Sequence, residues 1–195
     1  MNFLPLTLAF DFAQKIHGNQ KWKQTERPFL YHPLRVASLV LFYGGNESEA
    51  QAALLHDTIS AGVTCDELEL SFGKIVADLV RAFQDPPEIA DHKAEWSEIK
   101  KAYLNKMETL PPATVFIIAC EELEELSVLL HDLKFSALQV WAQYPVPGRD
   151  VGWYFNNLTK VFYKKLIDPK YHQIVSEFAS QTKILSRLVF EGIDI

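Results

Sequence analysis

His56 and Asp57 stand side by side at the end of the apolar run Ala52-Ala53-Leu54-Leu55. An imidazole nitrogen and a carboxylate oxygen suit Mn²⁺, Fe²⁺, Zn²⁺ or Mg²⁺ better than copper(I). Neighbouring side chains on a helix point about 100° apart, so such a pair grips an ion only from adjacent quadrants. Further ligands must come from elsewhere in the chain. His32, just before Pro33, is the upstream candidate, and Glu121 the downstream one. Each has a plainer reading. His56-Asp57 can be a polar pair at a helix C-terminus, and His32 a capping or core histidine bonded to backbone. The same dipeptide recurs as His131-Asp132, which reads as solvated residues at a helix end.

The elements that would position these groups are helical. Leu8, Phe12 and Ile16 mark a first helix ending near Gly18. Pro33 sits where a first-turn proline is tolerated, and the apolar positions after it continue to Gly44-Gly45. Because residues before proline are pushed out of the helical region, His32 is expected at a fixed entry to that helix. Ser48 is a candidate N-cap for a third helix running to about Ser60. Thr64 with Glu67 is a capping-box pattern for a short fourth helix, broken at Gly73. A further helix runs to about Gln84, and Asp85-Pro86-Pro87 reads as a loop. Lys93 to Glu108 is a polar amphipathic helix, and Pro111-Pro112 opens a long one through about Leu130. Thr114 to Ile118 is β-prone but reads as buried helix, and no segment alternates convincingly as a strand. Two helices, about 150–167 and 170–191, close the chain. Residues 1–195 are expected to form one all-α domain, a single helical bundle.

Composition excludes several classes. The chain has 195 residues, 48% of them hydrophobic, enough for a sizeable core and too many for a disordered chain. Its net charge of −6 argues against a general DNA or RNA binder, which needs a basic face. Cys65 and Cys120 are too few for a disulfide framework and fit a reducing, cytoplasmic setting. No apolar run is long enough to span a bilayer. Phe3-Leu4-Pro5-Leu6 lacks the preceding basic residues of a signal peptide.

Read in order, four groups of residues carry a resemblance. They are Ala9-Phe10-Asp11-Phe12-Ala13 through His17-Gly18-Asn19-Gln20, Tyr31-His32-Pro33-Leu34, Leu54-Leu55-His56-Asp57-Thr58, and Glu67-Leu68 with Phe72-Gly73. Together they resemble the HD-domain hydrolases of the Rel/Spo type, which remove the 3′-pyrophosphate from the alarmone (p)ppGpp. The likeness is strongest to the small stand-alone alarmone hydrolases. It implies an HD-type helical bundle and a divalent metal, Mn²⁺ first, held by His32, His56, Asp57 and a fourth ligand. It also implies a small phosphorylated nucleotide as ligand. A homo-oligomer is compatible with it.

The fourth ligand has two alignments. The family carries an Asp in a pattern like Leu-Ala-Asp-Lys-Leu-x-Asn-Leu. Matching Leu123 and Leu126 puts Glu121 at that Asp, whereas matching Ala119 puts Cys120 there. Alternatively neither binds, and Glu121, Glu122, Glu124 and Glu125 form a solvated acidic face.

The chain also departs from the family. Where the family continues with Thr-Val-Glu-Asp-Thr, this sequence reads Thr58-Ile59-Ser60-Ala61-Gly62. The resemblance assigns the missing Glu-Asp pair to positioning and deprotonating the attacking water. Ser60 and Ala61 cannot act as a general base near neutral pH. In the nucleotide-contact region, Trp22 falls where the family has an Arg, between Lys21 and Lys23 and before Arg27. Trp22 is then a candidate to stack on a base, and the three cations to meet phosphate. The plain alternative is an exposed basic loop. Three readings follow: a metal-dependent phosphohydrolase, a catalytically inactive HD domain that binds a nucleotide or protein, and a helical interaction module. The last draws on the aromatic residues Trp141, Tyr144, Trp153, Tyr154, Phe155, Phe162 and Tyr163, which at helical spacing also read as core.

Overall fold

Short polar residues at helix starts set much of this architecture. The computed structural model describes residues 4–23, 25–84 and 95–191, the backbone alone at 136–138 and 191. Its elements are α1 Leu4–His17, α2 Tyr31–Phe42, α3 Glu47–Leu55, α4 Cys65–Phe72 and α5 Lys74–Arg81. They continue with α6 Trp96–Thr109, α7 Pro112–Trp141, α8 Gly148–Lys165 and α9 His172–Ser186. A 3-10 turn at Pro169–Tyr171 precedes α9 and a π-helical turn at Arg187–Glu191 follows it. Among the described residues there is no strand, only an isolated antiparallel bridge between Lys21 and Pro28. The fold class is all-α, as expected. The Asp85-Pro86-Pro87 loop and the start of the Lys93 helix lie outside the described residues, as does Phe3.

Both predicted capping sites carry information. At α4, Thr64 accepts from the Glu67 N–H at 3.2 Å while Glu67 accepts from the Thr64 N–H at 2.8 Å, the expected reciprocal box. At α3 the cap is Asn46 rather than Ser48. Asn46 Oδ1 accepts from the Glu49 N–H at 3.0 Å, and Glu49 returns the bond at 2.7 Å. A box at Ser48 would need Gln51, which is buried and donates instead to the Pro5 carbonyl at 3.0 Å.

Two helix ends stand apart from the sequence reading. Helix α3 stops at Leu55, not near Ser60, and residues 56–62 form turns. Thr58 ends it by donating to the Leu55 carbonyl at 2.7 Å and accepting from the Val63 N–H at 3.0 Å. Gly62 (φ +101°) and Gly73 (φ +83°) take backbone conformations that side-chain-bearing residues resist. Helix α7 runs past Leu130 to Trp141, because no glycine or proline interrupts 113–141. His131 and Asp132 therefore lie inside a helix, not at its end. The Thr114–Ile118 segment is helical, with Val115, Phe116, Ile117 and Ile118 almost wholly buried.

By backbone contacts the chain divides into two compact units. One gathers the described residues of Met1–Gln84 with Phe116–Glu124. Its core holds Ala9, Val36, Val40, Leu55, Leu68, Val80 and Phe116. The other gathers those of Asp85–Val115 with Glu125–Ile195. There Phe162 meets Phe178 edge-on at 4.8 Å, and Tyr154 and Phe155 are also buried. Of the C-terminal aromatic residues, Tyr154, Phe155 and Phe162 are thus core, Trp141, Tyr144 and Trp153 are half-buried, and Tyr163 is exposed.

Candidate metal centre

His32, His56 and Asp57 all belong to the first unit and come together there. His32 is the second residue of α2, not an extended residue ahead of it. The first-turn N–H groups of a helix lack intrahelical partners, so Pro33 sacrifices no bond there. The ring itself is 1% exposed. His56 and Asp57 lie in the turn just after α3 rather than on the helix side, with His56 2% exposed.

Hydrogen bonds determine which ring atoms face the centre. His32 Nδ1–H donates to Glu124 Oε2 at 2.6 Å, and His56 Nδ1–H donates to the Ala53 carbonyl at 2.8 Å. Both acceptors can only accept, so each Nδ1 carries the proton and a neutral ring keeps its lone pair on Nε2. The two Nε2 atoms face each other at 3.2 Å, and Asp57 Oδ2 lies 3.1 Å from His56 Nε2. The three ligand atoms all lie within 4.8 Å of one another. Ligands at right angles on an ion with bonds of about 2.1 Å stand about 3 Å apart. Two buried lone pairs in contact repel unless a cation or proton lies between them. The donor set and its spacing therefore fit a divalent metal.

Charge in this cluster is strongly coupled. Burial works against a charged His56, but the Asp57 carboxylate outweighs it, aided by Glu121, and raises the imidazole from 6.5 to about 9. Burial likewise opposes ionisation of Asp57, yet the charge and hydrogen bond of His56 bring it down from 3.8 to about 2. His32 and His17 pull in the same direction.

The two candidates for the fourth ligand differ in surroundings. Glu121 Oε2 is buried and its charge acts on His56, although it is not among the three convergent groups. Cys120 is fully buried, and burial, with Glu49 adding to it, pushes its thiol well above the usual value. The acidic stretch is not a solvated face: Glu122 is 6% and Glu124 0% exposed. Glu124 turns inward because His32 takes one oxygen and Arg35 Nε stands 3.3 Å from the other.

The segment after α1 folds over His32. The Trp22 N–H donates to the Arg27 carbonyl and the Phe29 N–H to the Gln20 carbonyl, both at 2.9 Å. Trp22 is not open to solvent: it is 7% exposed and stacks on His32, ring centroids 4.0 Å apart. Lys23 Nζ lies 4.9 Å from the Trp22 ring, and Lys23 itself has φ +47°. Lys21 bonds to the Glu26 carbonyl at 3.1 Å and pairs with its carboxylate at 3.3 Å. Arg27 is half-buried. Ser60 and Ala61 are exposed, and Ser60 Oγ donates to Gln84 Oε1 at 3.4 Å. Sequence reasoning missed Glu124, Arg35 and His17. The place of Glu124 between Leu123 and Leu126 is the one signal the sequence holds for the first.

A family model described as "HD domain" matches residues 9–143. The chain is 25% identical over 183 residues to a guanosine-3′,5′-bis(diphosphate) 3′-pyrophosphohydrolase of Aquifex aeolicus, covering 90% of this chain and 26% of that protein. It is 41% identical over 81 residues to the enzyme so named from Xenopus tropicalis, covering 40% and 45%. This chain thus spans less than half the length of either relative. Among solved structures, a Listeria monocytogenes EGD-e protein superposes with TM-score 0.70 at 23% identity, covering 79% of this chain and 97% of that one. A metazoan SpoT ortholog, described as hydrolysing ppGpp, gives 0.69 at 20% identity and 96% of both chains. These two likenesses concern the fold.

Proposed function

Because this chain belongs to the HD domain family, we propose that it is a metal-dependent phosphohydrolase of the (p)ppGpp 3′-pyrophosphohydrolase type. The observation that carries this reading is the convergence of His32 Nε2 and His56 Nε2, both buried, with Asp57 Oδ2, which is half-buried. The names of the Aquifex and Xenopus relatives support the substrate class.

In this proposal the ion is Mn²⁺, with Glu121 as the fourth ligand. Bound there, a divalent cation supplies Lewis-acid charge and lowers the pKa of the attacking water. The chain's own groups do the rest. His32 and His56 hold their lone pairs inward, which requires each Nε2 to be unprotonated in the working state. Trp22 covers His32 and keeps water off the ring. Lys21, Lys23 and Arg27 are proposed to meet the phosphates, with Lys21 exchanging Glu26 for the ligand. The ligand is a small phosphorylated nucleotide rather than DNA or RNA. The proposed setting is the cytoplasm, and no described helix is long and apolar enough to cross a membrane.

One observation favours a second reading. Ser60 and Ala61 occupy the exposed turn where the resemblance expects the acidic pair, and neither takes up a proton near neutral pH. A catalytically inactive HD domain that binds a nucleotide or a protein accounts for that loss.

Metal content of the purified protein by plasma mass spectrometry, with His56→Ala beside it, is the first test. About one Mn, Fe or Zn per chain, lost in the variant, supports the centre. Release of pyrophosphate from (p)ppGpp on Mn²⁺ addition then separates the hydrolase from the inactive binder. An absence of metal even after Mn²⁺ loading overturns the phosphohydrolase reading.

A further inference from the structure

We propose that Glu124, held by Arg35, is the positioning residue of this centre: it locks the His32 ring in the tautomer that can bind metal and thereby sets metal affinity. The inference rests on the phosphohydrolase reading only for its metal, since the lock itself is a property of the metal-free chain.

The argument begins with what each group can do. A carboxylate only accepts hydrogen bonds. Glu124 Oε2, 2.6 Å from His32 Nδ1, therefore forces the proton onto Nδ1 and leaves Nε2 bare toward His56 and Asp57. The ring cannot rotate away from that bond cheaply, because Trp22 stacks on its face at 4.0 Å with an interplanar angle of 28°. The Trp22 stack restrains the ring plane, and the Glu124 bond restrains its rotation within that plane.

A glutamate at 0% exposure needs a countercharge. Arg35 supplies it from the next turn of α2, with Nε 3.3 Å from Glu124 Oε1 and its side chain 52% exposed. The spacing is that of an ion pair without hydrogen-bond alignment, so Glu124 Oε1 has no hydrogen-bond partner among the described residues. Arg35 thus balances the charge of Glu124 without competing for the oxygen that holds His32. His32 and Arg35 are three residues apart on α2, so one helix face presents both to the same carboxylate. Partners of this kind orient a ligating histidine and raise its basicity, and their loss typically weakens metal binding about 10–100-fold.

The test uses the full chain with wild type, Glu124→Gln, Glu124→Asp, Arg35→Gln and His56→Ala. Mn²⁺ and Zn²⁺ affinities are measured by calorimetric titration. Nitrogen NMR of the metal-free proteins reads which His32 ring nitrogen carries the proton. Glutamine can turn its NH₂ toward Nδ1 and accept the wrong tautomer, so Glu124→Gln should weaken metal binding about 10–100-fold and lose the single Nδ1–H state. Glu124→Asp keeps an acceptor-only group and should recover part of both signals. Arg35→Gln, on a half-exposed side chain, should weaken binding less. Wild-type affinity and an unchanged tautomer in Glu124→Gln overturn the proposal. If that variant does not fold, wild-type affinity and tautomer in Arg35→Gln overturn it. If wild type binds no metal, the phosphohydrolase reading fails and the tautomer alone decides the role of Glu124.

Discussion

His32 Nε2 and His56 Nε2 face each other at 3.2 Å inside the first unit, each with its Nδ1 proton already used elsewhere. In the metal-free chain the His56 proton lies at this contact below about pH 9, and a divalent cation can take its place. A protein saturated with Mn²⁺ should therefore gain stability that His32→Ala and His56→Ala do not. At about 100 times the dissociation constant the gain is about 2.7 kcal/mol. Thermal melts with and without the ion check this; equal stabilisation of wild type and variants would place the ion elsewhere.

The same pair makes stability depend on pH in the metal-free protein. The folded His56 imidazole is raised from 6.5 to about 9. Its contribution is complete below about pH 6.5 and is lost as pH rises through about 9. The folded Asp57 carboxyl is lowered from 3.8 to about 2. Its contribution is present above about pH 3.8 and is lost as pH falls through about 2. Metal-free melts should peak between these limits. Metal must displace the His56 proton, so Mn²⁺ affinity should climb with pH toward 9. An affinity flat across pH 6–9 would contradict the assignment of His56.

Introducing the carboxylates that the resemblance expects at 60 and 61 tests the proposed phosphohydrolase reading. The double substitution Ser60→Glu with Ala61→Asp places acids on an exposed turn. General-base help is worth about 10²–10⁴-fold, so pyrophosphate release from (p)ppGpp should rise by up to that factor. No change in rate, with metal still bound, would show that something other than the base limits turnover.

Thiol labelling separates the two cysteines. Cys65 is half-buried at the start of α4, while Cys120 is fully buried with its thiol held protonated. A maleimide should modify one site in the folded protein and both after denaturation. Rapid labelling of Cys120 in the folded state would revive it as an accessible ligand.

Removing a cap should cost stability without touching the centre. Thr64→Ala removes the hydroxyl arm of the α4 box, leaving the Thr64 N–H bond to Glu67, and should destabilise the protein by about 1 kcal/mol, read in urea. Metal content should stay at the wild-type level.

Local rules carried a good deal of this structure. The Thr64-Glu67 box, the break at Gly73 and the helical character of Thr114–Ile118 all follow from capping chemistry, backbone freedom and the length of apolar runs. Those are interactions within a few residues, so a linear string contains them. The adjacency of His56 and Asp57 was visible for the same reason. Sequence order alone says nothing of how far His32 stands from them, and there the resemblance did the pairing.

Tertiary structure decided what local rules leave degenerate. Ser48 and Asn46 are comparable caps, and the choice fell to Asn46 because Gln51 is drawn off to the Pro5 carbonyl, 46 residues away. The stretch from Glu121 to Glu125 reads as acidic whichever way it faces. Only packing turns Glu124 inward to His32, 92 residues away, and gives it Arg35 as countercharge. A buried charge persists only where distant partners meet it, and those meetings are made by the fold.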